Sequence, residues 1–316
     1  MRKFVLFPLG LMIAAMQCFA ISSYAELSDS QISDFYSYND QIPLNAQEQL
    51  VHEDLFMRQY TLSFDAVDGE SVTGFLTIPK VIWPPNPQFP VILYLHGHGG
   101  SAELDPLLAD LIYLIMLFRE TKYAVLSLDA RYHGERERPD REIFSTNFLQ
   151  DRNGLAQTIV DYRRAIDYLE TRSNINENQI HVFGISMGGL MGAMLSAVDE
   201  RVRAASLVVA GGNWTELVSS SNLPPAEPMR EALRGHYGII PSLFDIVDPV
   251  VLAHMISPRY LQMHNGLYDD IVPTGQQLYD AALEPKEIYW YEGDHISILF
   301  FTPDILGRTL DMFDQQ

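Results

Sequence analysis

The stretch VFGISMGGLMGAML, residues 182–195, decides the fold because it places a serine between a predicted strand and a predicted helix. Gly184 and Gly188 stand two residues before and two residues after Ser186, which is the G-x-S-x-G spacing of a sharp strand-to-helix turn. A side chain at either glycine would clash in such a turn, so the serine is held outward at the helix N-terminus, where negative charge is stabilised. We therefore predict that Ser186 is a nucleophile.

A glycine-rich turn between a strand and a helix can instead bind phosphate, with the serine incidental. A dinucleotide-binding turn needs G-x-G-x-x-G after the first parallel strand, whereas residues 184–192 read GISMGGLMG. The spacing is wrong for that turn, and the surrounding sequence favours the nucleophile.

Short apolar strands alternate with helical stretches from residue 90 onward. The strands are PVILYLH (90–96), YAVLSLD (123–129), QIHVFGI (179–185), ASLVVAG (205–211) and YLQMHNG (260–266). One helix is predicted to open at Asp105 and Pro106, and another near Asn153. The apolar stripe of the second helix consists of Leu155, Ile159, Tyr162, Ile166 and Leu169. This alternation predicts an α/β fold, with a mostly parallel central sheet and helices on both faces.

Two segments depart from the alternation. Residues 58–80 hold two β-rich runs separated by Asp68 and Gly69, which predicts an antiparallel N-terminal hairpin. Residues 213–257 are rich in proline and bulky apolar side chains and fit poorly as a simple crossover. We interpret them as a small helical cap insertion over the strand ends, which would either cover the pocket or add to the core. Its candidate pocket residues are Trp214, Tyr237 and Phe244.

A nucleophilic serine needs an imidazole to take its proton, and after a G-x-S-x-G turn the chain order is serine, acid, histidine. Five of the nine histidines precede Ser186, two lie in the insertion, and His264 lies in a predicted strand. His295 remains, on a loop that follows an aromatic strand. We predict that His295 is the general base.

Two adjacent carboxylates, Asp269 and Asp270, follow the strand YLQMHNG and precede His295. Both cannot point at the same imidazole from one turn, so one of them is expected to orient it. Asp294 is badly placed to reach the ring of its sequence neighbour, and Glu292 is a weaker candidate. The residues alone leave the choice between Asp269 and Asp270 open.

His96 and His98, in the stretch LYLHGHGGS, could be a base, metal ligands or neither. Both precede Ser186, which argues against the base. A shared zinc ion would need further ligands, and no H-E-x-x-H pattern follows nearby. We predict no metal site.

Composition limits the class of protein. With 316 residues, 47% of them hydrophobic, the chain can bury the core of one large α/β domain, which we expect over residues 26–316. The formal net charge is −20, and it becomes −22 if Arg2 and Lys3 are removed. An acidic surface repels nucleic acid and anionic membranes, so neither is an expected partner.

The N-terminal segment has the pattern of a signal peptide. Arg2 and Lys3 precede an apolar stretch, and Ser23-Tyr24-Ala25 offers small residues at a cleavage site. We predict a signal peptide over residues 1–25 and export to a bacterial periplasm or beyond, with an uncleaved membrane anchor as the alternative. Cys18 is the single cysteine and lies inside this segment, so the mature chain would hold neither a cysteine nucleophile nor a thiolate metal site.

Taken together, these motifs resemble the α/β-hydrolase superfamily, and more closely the branch that contains dienelactone hydrolase, acetyl xylan esterase and the catalytic domain of prolyl oligopeptidase. The likeness covers roughly residues 58–314 and is carried by HGHGG (96–100), LDARYHGER (128–136), GISMGG (184–189), GLYDDIVP (266–273) and GDH (293–295). The chain departs from dienelactone hydrolase by having Ser186 in place of a cysteine-type nucleophile. It also has no room for the propeller of prolyl oligopeptidases, since only about thirty residues separate the leader from the hairpin.

The resemblance implies an α/β-hydrolase fold and assigns further roles. Asp269 stands at the usual place of the acid, three residues after Gly266. The loop after the first central parallel strand is expected to supply one oxyanion-hole N–H, which we assign to His98, with Met187 N–H as the second. His96 is then a structural residue within this loop.

These roles predict a serine carboxylic ester hydrolase that works through an acyl-enzyme and needs no cofactor. Its expected partner is a small-molecule ester with a small to medium acyl group, and acetyl groups on carbohydrate are among the candidates. One alternative is a secreted serine peptidase or amidase of prolyl oligopeptidase-like type. Another is a non-catalytic binding protein with the same fold.

Overall fold

The computed structural model describes residues 27–80, 87–103 and 123–316. The predicted signal peptide, residues 1–25, and the helix predicted to open at Asp105 and Pro106 lie outside the described residues. Within those ranges no single helix is long and apolar enough to cross a membrane, although one bent pair, Tyr237–Val247 with Pro249–Ile256, has the necessary length and composition.

The described strands and helices alternate through most of the chain. The strands are β1 (Gln47–Glu53), β2 (Met57–Asp65), β3 (Ser71–Pro79), β4 (Phe89–Leu95), β5 (Ala124–Leu128), β6 (Ile175–Ile185), β7 (Val202–Val208), β8 (Tyr260–Gly266) and β9 (Lys286–Tyr291). The helices are α1 (Asp29–Phe35), α2 (Phe148–Glu170), α3 (Met187–Val198), α4 (Trp214–Ser220), α5 (Ala226–Leu233), α6 (Ile240–Phe244), α7 (Pro249–Leu252), α8 (Gly275–Ala281) and α9 (Thr302–Phe313).

The nine described strands form one mixed sheet, in the order β1-β2-β3-β5-β4-β6-β7-β8-β9. β1, β2, β3 and β5 pair antiparallel, whereas every pair from β5–β4 to β8–β9 is parallel. β2 and β3 are the predicted hairpin, and its turn contains Gly69 at a φ of 82°, a conformation that favours glycine. The predicted fold class is therefore confirmed.

Helices cover both faces of the sheet, because successive side chains of a strand point to opposite faces. On one face Leu93 and Val182 pack with α2, and the predicted stripe of α2 is almost completely buried there. On the other face Tyr94 and Phe183 pack with α9. The strand ends that carry the site described below lie between these two layers of helices.

The segment between β7 and β8 is helical and contains α4 to α7 with three short 3-10 turns. α4 begins after Asn213, whose side chain accepts a hydrogen bond from Glu216 N–H. Asp248 accepts hydrogen bonds from Asn213 N–H and Trp214 N–H, both at 2.8 Å, and thus joins the two ends of the segment. Burial raises the pKa of Asp248, while these donors act in the opposite direction.

Candidate active site

Ser186 lies between the last residue of β6 and the first residue of α3. Its φ of 57° and ψ of −118° are unusual for a residue with a side chain and belong to a tight, strained turn. A Cβ at Gly184 would lie 2.2 Å from the carbonyl oxygen of Gly188, and a Cβ at Gly188 would lie 2.0 Å from that of Leu95. Both positions therefore require glycine, as the motif predicts.

The structure brings Ser186, His295 and Asp269 into one hydrogen-bonded series. Ser186 Oγ lies 2.8 Å from His295 Nε2, and His295 Nδ1 lies 2.8 Å from Asp269 Oδ2. The carboxylate can only accept, so Nδ1 carries the imidazole proton and Nε2 is left to accept from the serine hydroxyl. The side chains of His295 and Asp269 are both buried, which limits competition from water.

Asp269 is held by backbone groups of its own loop. Its Oδ1 accepts hydrogen bonds from Ile271 N–H at 3.0 Å and from Val272 N–H at 2.8 Å. This turn leaves Oδ2 directed at His295. The loop after β8 thus orients the acid before any substrate binds.

The other candidate acids point elsewhere. Asp270 accepts from the side-chain amide of Asn222, Asp294 accepts from the backbone and hydroxyl of Ser297, and Glu292 accepts from the hydroxyl of Tyr268. None of these carboxylates has a hydrogen bond to His295 among the described contacts.

The loop 96–100 lies beside the serine. A Cβ at Gly97 would come within 3.6 Å of Ser186 Cβ, and His98 lines the same cavity as Ser186 and Met187. Met187 is the first residue of α3, and the first N–H groups of a helix have no acceptor within it. The assignment of the His98 and Met187 amides to an oxyanion hole stays a prediction.

His96 is buried and held by two hydrogen bonds. Its Nδ1 donates to Gly97 O at 2.8 Å, and its Nε2 accepts from Ala130 N–H at 3.1 Å. Burial lowers the pKa of His96 to about 4, so the ring is neutral. His96 therefore supports the loop, in agreement with the structural role expected from the sequence.

A narrow cavity opens beside Ser186. Its lining side chains are mainly apolar: Phe144, Met187, Leu190, Trp214, Leu217, Val218, Leu223, Ala226, Met229, Ile271 and Val272, with His98 and Ser186. α4 and α5 supply much of this wall. Trp214 thus lies where it was expected, as part of the insertion that faces the serine.

Tyr237 and Phe244 do not line this cavity. Phe244 is fully buried and packs behind the Trp214 ring, with 5.3 Å between the ring centroids. Tyr237 lies in a 3-10 turn and packs against the main core. Both residues belong to the packing of the insertion, because α6 and its preceding turn lie behind α4 as seen from the serine.

Most of the wall was missed in the sequence analysis. Trp214, Leu217 and Val218 have the spacing of one helical face, so the pattern within α4 could have revealed the second and third of them. Phe144 lies in a loop without periodicity and stacks near Trp214, with centroids 5.6 Å apart. No pattern in the neighbouring sequence predicts that Phe144 lines the cavity.

The loop 131–136 is salt-bridged. Arg131 pairs with Asp68 and Asp161, and Arg136 pairs with Asp161 at 2.8 Å. Both guanidinium groups are almost completely buried, and neither residue is among the described residues that line the cavity. Among the described residues, no group of three or more histidine or acidic side chains is placed to hold a metal ion.

A family model described as alpha/beta hydrolase fold matches residues 90–245. The chain has the α/β-hydrolase fold. This confirms the resemblance inferred from the motifs. Over 222 residues the chain is 26% identical to the protein YtaP of Bacillus subtilis (strain 168). The matched region covers 68% of this chain and 71% of YtaP.

Two solved structures of acetyl xylan esterases share the architecture. The enzyme of Paenibacillus sp. R4 has a TM-score of 0.71 and 20% identity, with 92% of this chain and 99% of that one covered. Acetyl xylan esterase 1 of Thermoanaerobacterium sp. JW/SL YS485 has a TM-score of 0.70 and 14% identity, with 88% and 93% covered. At these identities the likeness establishes the α/β-hydrolase fold.

Proposed function

We propose that this α/β-hydrolase is a serine carboxylic ester hydrolase in which Ser186 is the nucleophile. The observation that carries the proposal is the hydrogen-bonded series Ser186–His295–Asp269, with 2.8 Å at each step. A serine on a strained turn, an imidazole that contacts it through Nε2 and a buried carboxylate that contacts the imidazole through Nδ1 are the groups that acyl transfer needs.

In the proposed reaction, Ser186 Oγ attacks the ester carbonyl while His295 Nε2 takes its proton. The amides of His98 and Met187 would stabilise the negative oxygen of the tetrahedral intermediate. His295 then gives the proton to the leaving alcohol, and an acyl-enzyme remains. A water molecule, activated by the same imidazole, releases the acid and restores the serine. These steps use no cofactor.

The cavity supports an ester with a small to medium acyl group. Its apolar wall suits an alkyl chain, and the cavity is too narrow for a large one. The two solved neighbours are acetyl xylan esterases, which supports acetyl esters of carbohydrate among the candidate substrates. We also propose that the chain is exported after cleavage of residues 1–25, on the basis of the charged and apolar pattern there.

The test is hydrolysis of a p-nitrophenyl ester series, from acetate to laurate, by the mature protein and by Ser186→Ala. We expect turnover of the short esters by the natural protein and a loss of at least about a thousandfold in the variant. Ser196→Ala is the matched control, since this buried serine of α3 does not line the cavity and has no hydrogen-bond partner within residues 27–80, 87–103 and 123–316.

Equal turnover by Ser186→Ala and the natural protein would contradict the proposal. Cleavage of amino-acid amides with weak esterase turnover would support the peptidase alternative instead. No turnover of either class would support the binding-protein alternative.

A further inference from the structure

The tautomer of His133 follows from its contact with the main chain. His133 is buried, and its Nδ1 lies 3.0 Å from the carbonyl oxygen of Arg131. A carbonyl oxygen only accepts, so Nδ1 carries the proton of the neutral ring. His133 Nε2 is therefore left with a lone pair.

That lone pair determines the state of His98. His133 Nε2 lies 3.3 Å from His98 Nδ1, and a hydrogen bond between them requires a proton on His98 Nδ1. A neutral His98 then has its one acceptor lone pair on Nε2. Burial lowers the pKa of His98, and the neighbouring His133 acts in the same direction, so the neutral form is favoured.

The His98 ring is held in place as well as in one tautomer. The His133 ring packs on it with 5.3 Å between centroids, and the Phe144 ring packs on it at 5.2 Å. No protein group among the described residues donates a hydrogen bond to His98 Nε2. The ring thus presents an unused acceptor of fixed orientation.

His98 lines an apolar cavity beside Ser186. Apart from Ser186, His98 is the one polar residue among the described residues that line it. His98 is exposed, whereas Trp214, Leu217 and Met229 are buried deeper in the wall. An acyl chain suits the apolar depth, so the alcohol part of an ester would leave past His98.

We propose that His98 Nε2 accepts a hydrogen bond from a hydroxyl group on the alcohol part of the substrate and thereby selects hydroxylated alcohols. His133 is a positioning residue that keeps His98 in the accepting tautomer. The inference rests on the proposed ester hydrolysis. Because His98 is exposed and its acceptor is hydrated without substrate, the selection amounts to about three- to tenfold, the range of a net hydrogen bond.

The test compares three acetates of similar size. 2-Hydroxyethyl acetate has a donor, 2-methoxyethyl acetate has the same oxygen without a donor, and propyl acetate has neither. For the natural protein we expect kcat/KM to be about three- to tenfold higher for the hydroxyethyl ester than for the methoxyethyl ester. The ratio is measured within each variant, so a general loss of activity does not affect it.

Three variants separate the roles of the two histidines. His98→Phe should lower the ratio to about one. His98→Gln should keep part of it, because its amide can donate to His133 and its carbonyl oxygen can accept from the substrate. His133→Phe should lower the ratio with His98 intact. His236→Phe, a histidine of the insertion that does not line the cavity, is the matched control and should keep the full ratio.

A ratio near one in the natural protein, or a full ratio in His98→Phe, would overturn the inference while ester hydrolysis stands. A full ratio in folded His133→Phe would overturn the positioning role of His133. If the natural protein hydrolyses none of the three acetates and no p-nitrophenyl ester, the proposed function fails, and the inference fails with it.

Discussion

At the scale of single residues, Asp269 uses its two carboxylate oxygens for different purposes. Oδ1 accepts from two backbone N–H groups of its loop, and Oδ2 accepts from His295 Nδ1. The first oxygen fixes the direction of the second. The hydrogen bond from His295 Nδ1 to Asp269 thus places the ring proton on Nδ1 and leaves Nε2 to accept from Ser186. The proposed chemistry depends on this arrangement.

Asp269→Asn should lower kcat/KM for p-nitrophenyl acetate by about a thousandfold or more. Asparagine would keep its oxygen on the backbone N–H groups and turn its amide toward His295 Nδ1, which forces the proton onto Nε2. Asp270→Asn is the control, because this exposed neighbour pairs with Asn222 and should change kcat/KM less than threefold. Similar losses in both variants would contradict the assignment of Asp269.

At the scale of elements, α3 approaches the sheet closely because its first turns contain glycine. A Cβ at Gly188 would lie 2.0 Å from Leu95 O, and one at Gly189 would lie 2.8 Å from Ala210 Cβ. The first contact is with the backbone of β4, which cannot give way as a side chain can. The position of Ser186 relative to the loop 96–100 therefore depends on how α3 packs on the end of β4.

Gly188→Ala should lower the free energy of unfolding by about 3 kcal/mol or more, because the added methyl group displaces the backbone of β4 or α3. Urea-induced unfolding followed by circular dichroism measures it. Gly238→Ala serves as the comparison, since a Cβ there meets nothing within 4 Å and its effect should stay within about 0.5 kcal/mol. An equally small effect at Gly188 would show that α3 can move away from the sheet without cost.

At the scale of the whole molecule, several buried histidines make the fold sensitive to acid. Burial lowers the pKa of His181 to about 4 and that of His264 to about 3, from an ordinary value of 6.5. The unfolded chain therefore binds protons more readily than the folded one between pH 6.5 and 4. The stability from these neutral rings is complete above pH 6.5 and is lost as the pH falls.

His181 offers the clearest test, because its ring stacks on Phe313 at 4.5 Å and neither ring nitrogen has a hydrogen-bond partner in the described part of the chain. His181→Phe should keep the packing and remove one titrating group. As the pH falls from 7 to 4, the free energy of unfolding of the variant should rise by up to about 3 kcal/mol relative to that of the natural protein. Burial raises the pKa of Asp151 to about 6, which acts in the opposite direction, so the difference between the two proteins is the quantity to measure.

A constant difference in the free energy of unfolding from pH 7 to pH 4 would contradict the role of His181. His254→Phe is the control, because this half-exposed histidine pairs with Asp29 at the surface. Its replacement should not reduce the decrease of the free energy of unfolding between pH 7 and pH 4.

The sequence by itself determined the fold class and the serine. Gly184, Ser186 and Gly188 are contiguous, so the sterics of one turn are enough to identify them. The alternation of apolar strands and helical stripes reflects burial on each element and needs no knowledge of the partner element. Chain order removed five of the nine histidines, and predicted positions in the insertion or in a strand removed three more, which left His295.

Only the tertiary structure decided which side chains meet. Asp269 rather than Asp270 reaches His295 because two backbone N–H groups turn its carboxylate, and the residues alone left that choice open. Trp214 faces the cavity while Phe244 packs behind it, although both are apolar residues of one insertion. His98 and His133 are 35 residues apart and form their hydrogen bond across two loops. Such contacts depend on the direction of side chains on separate elements, which no local pattern encodes.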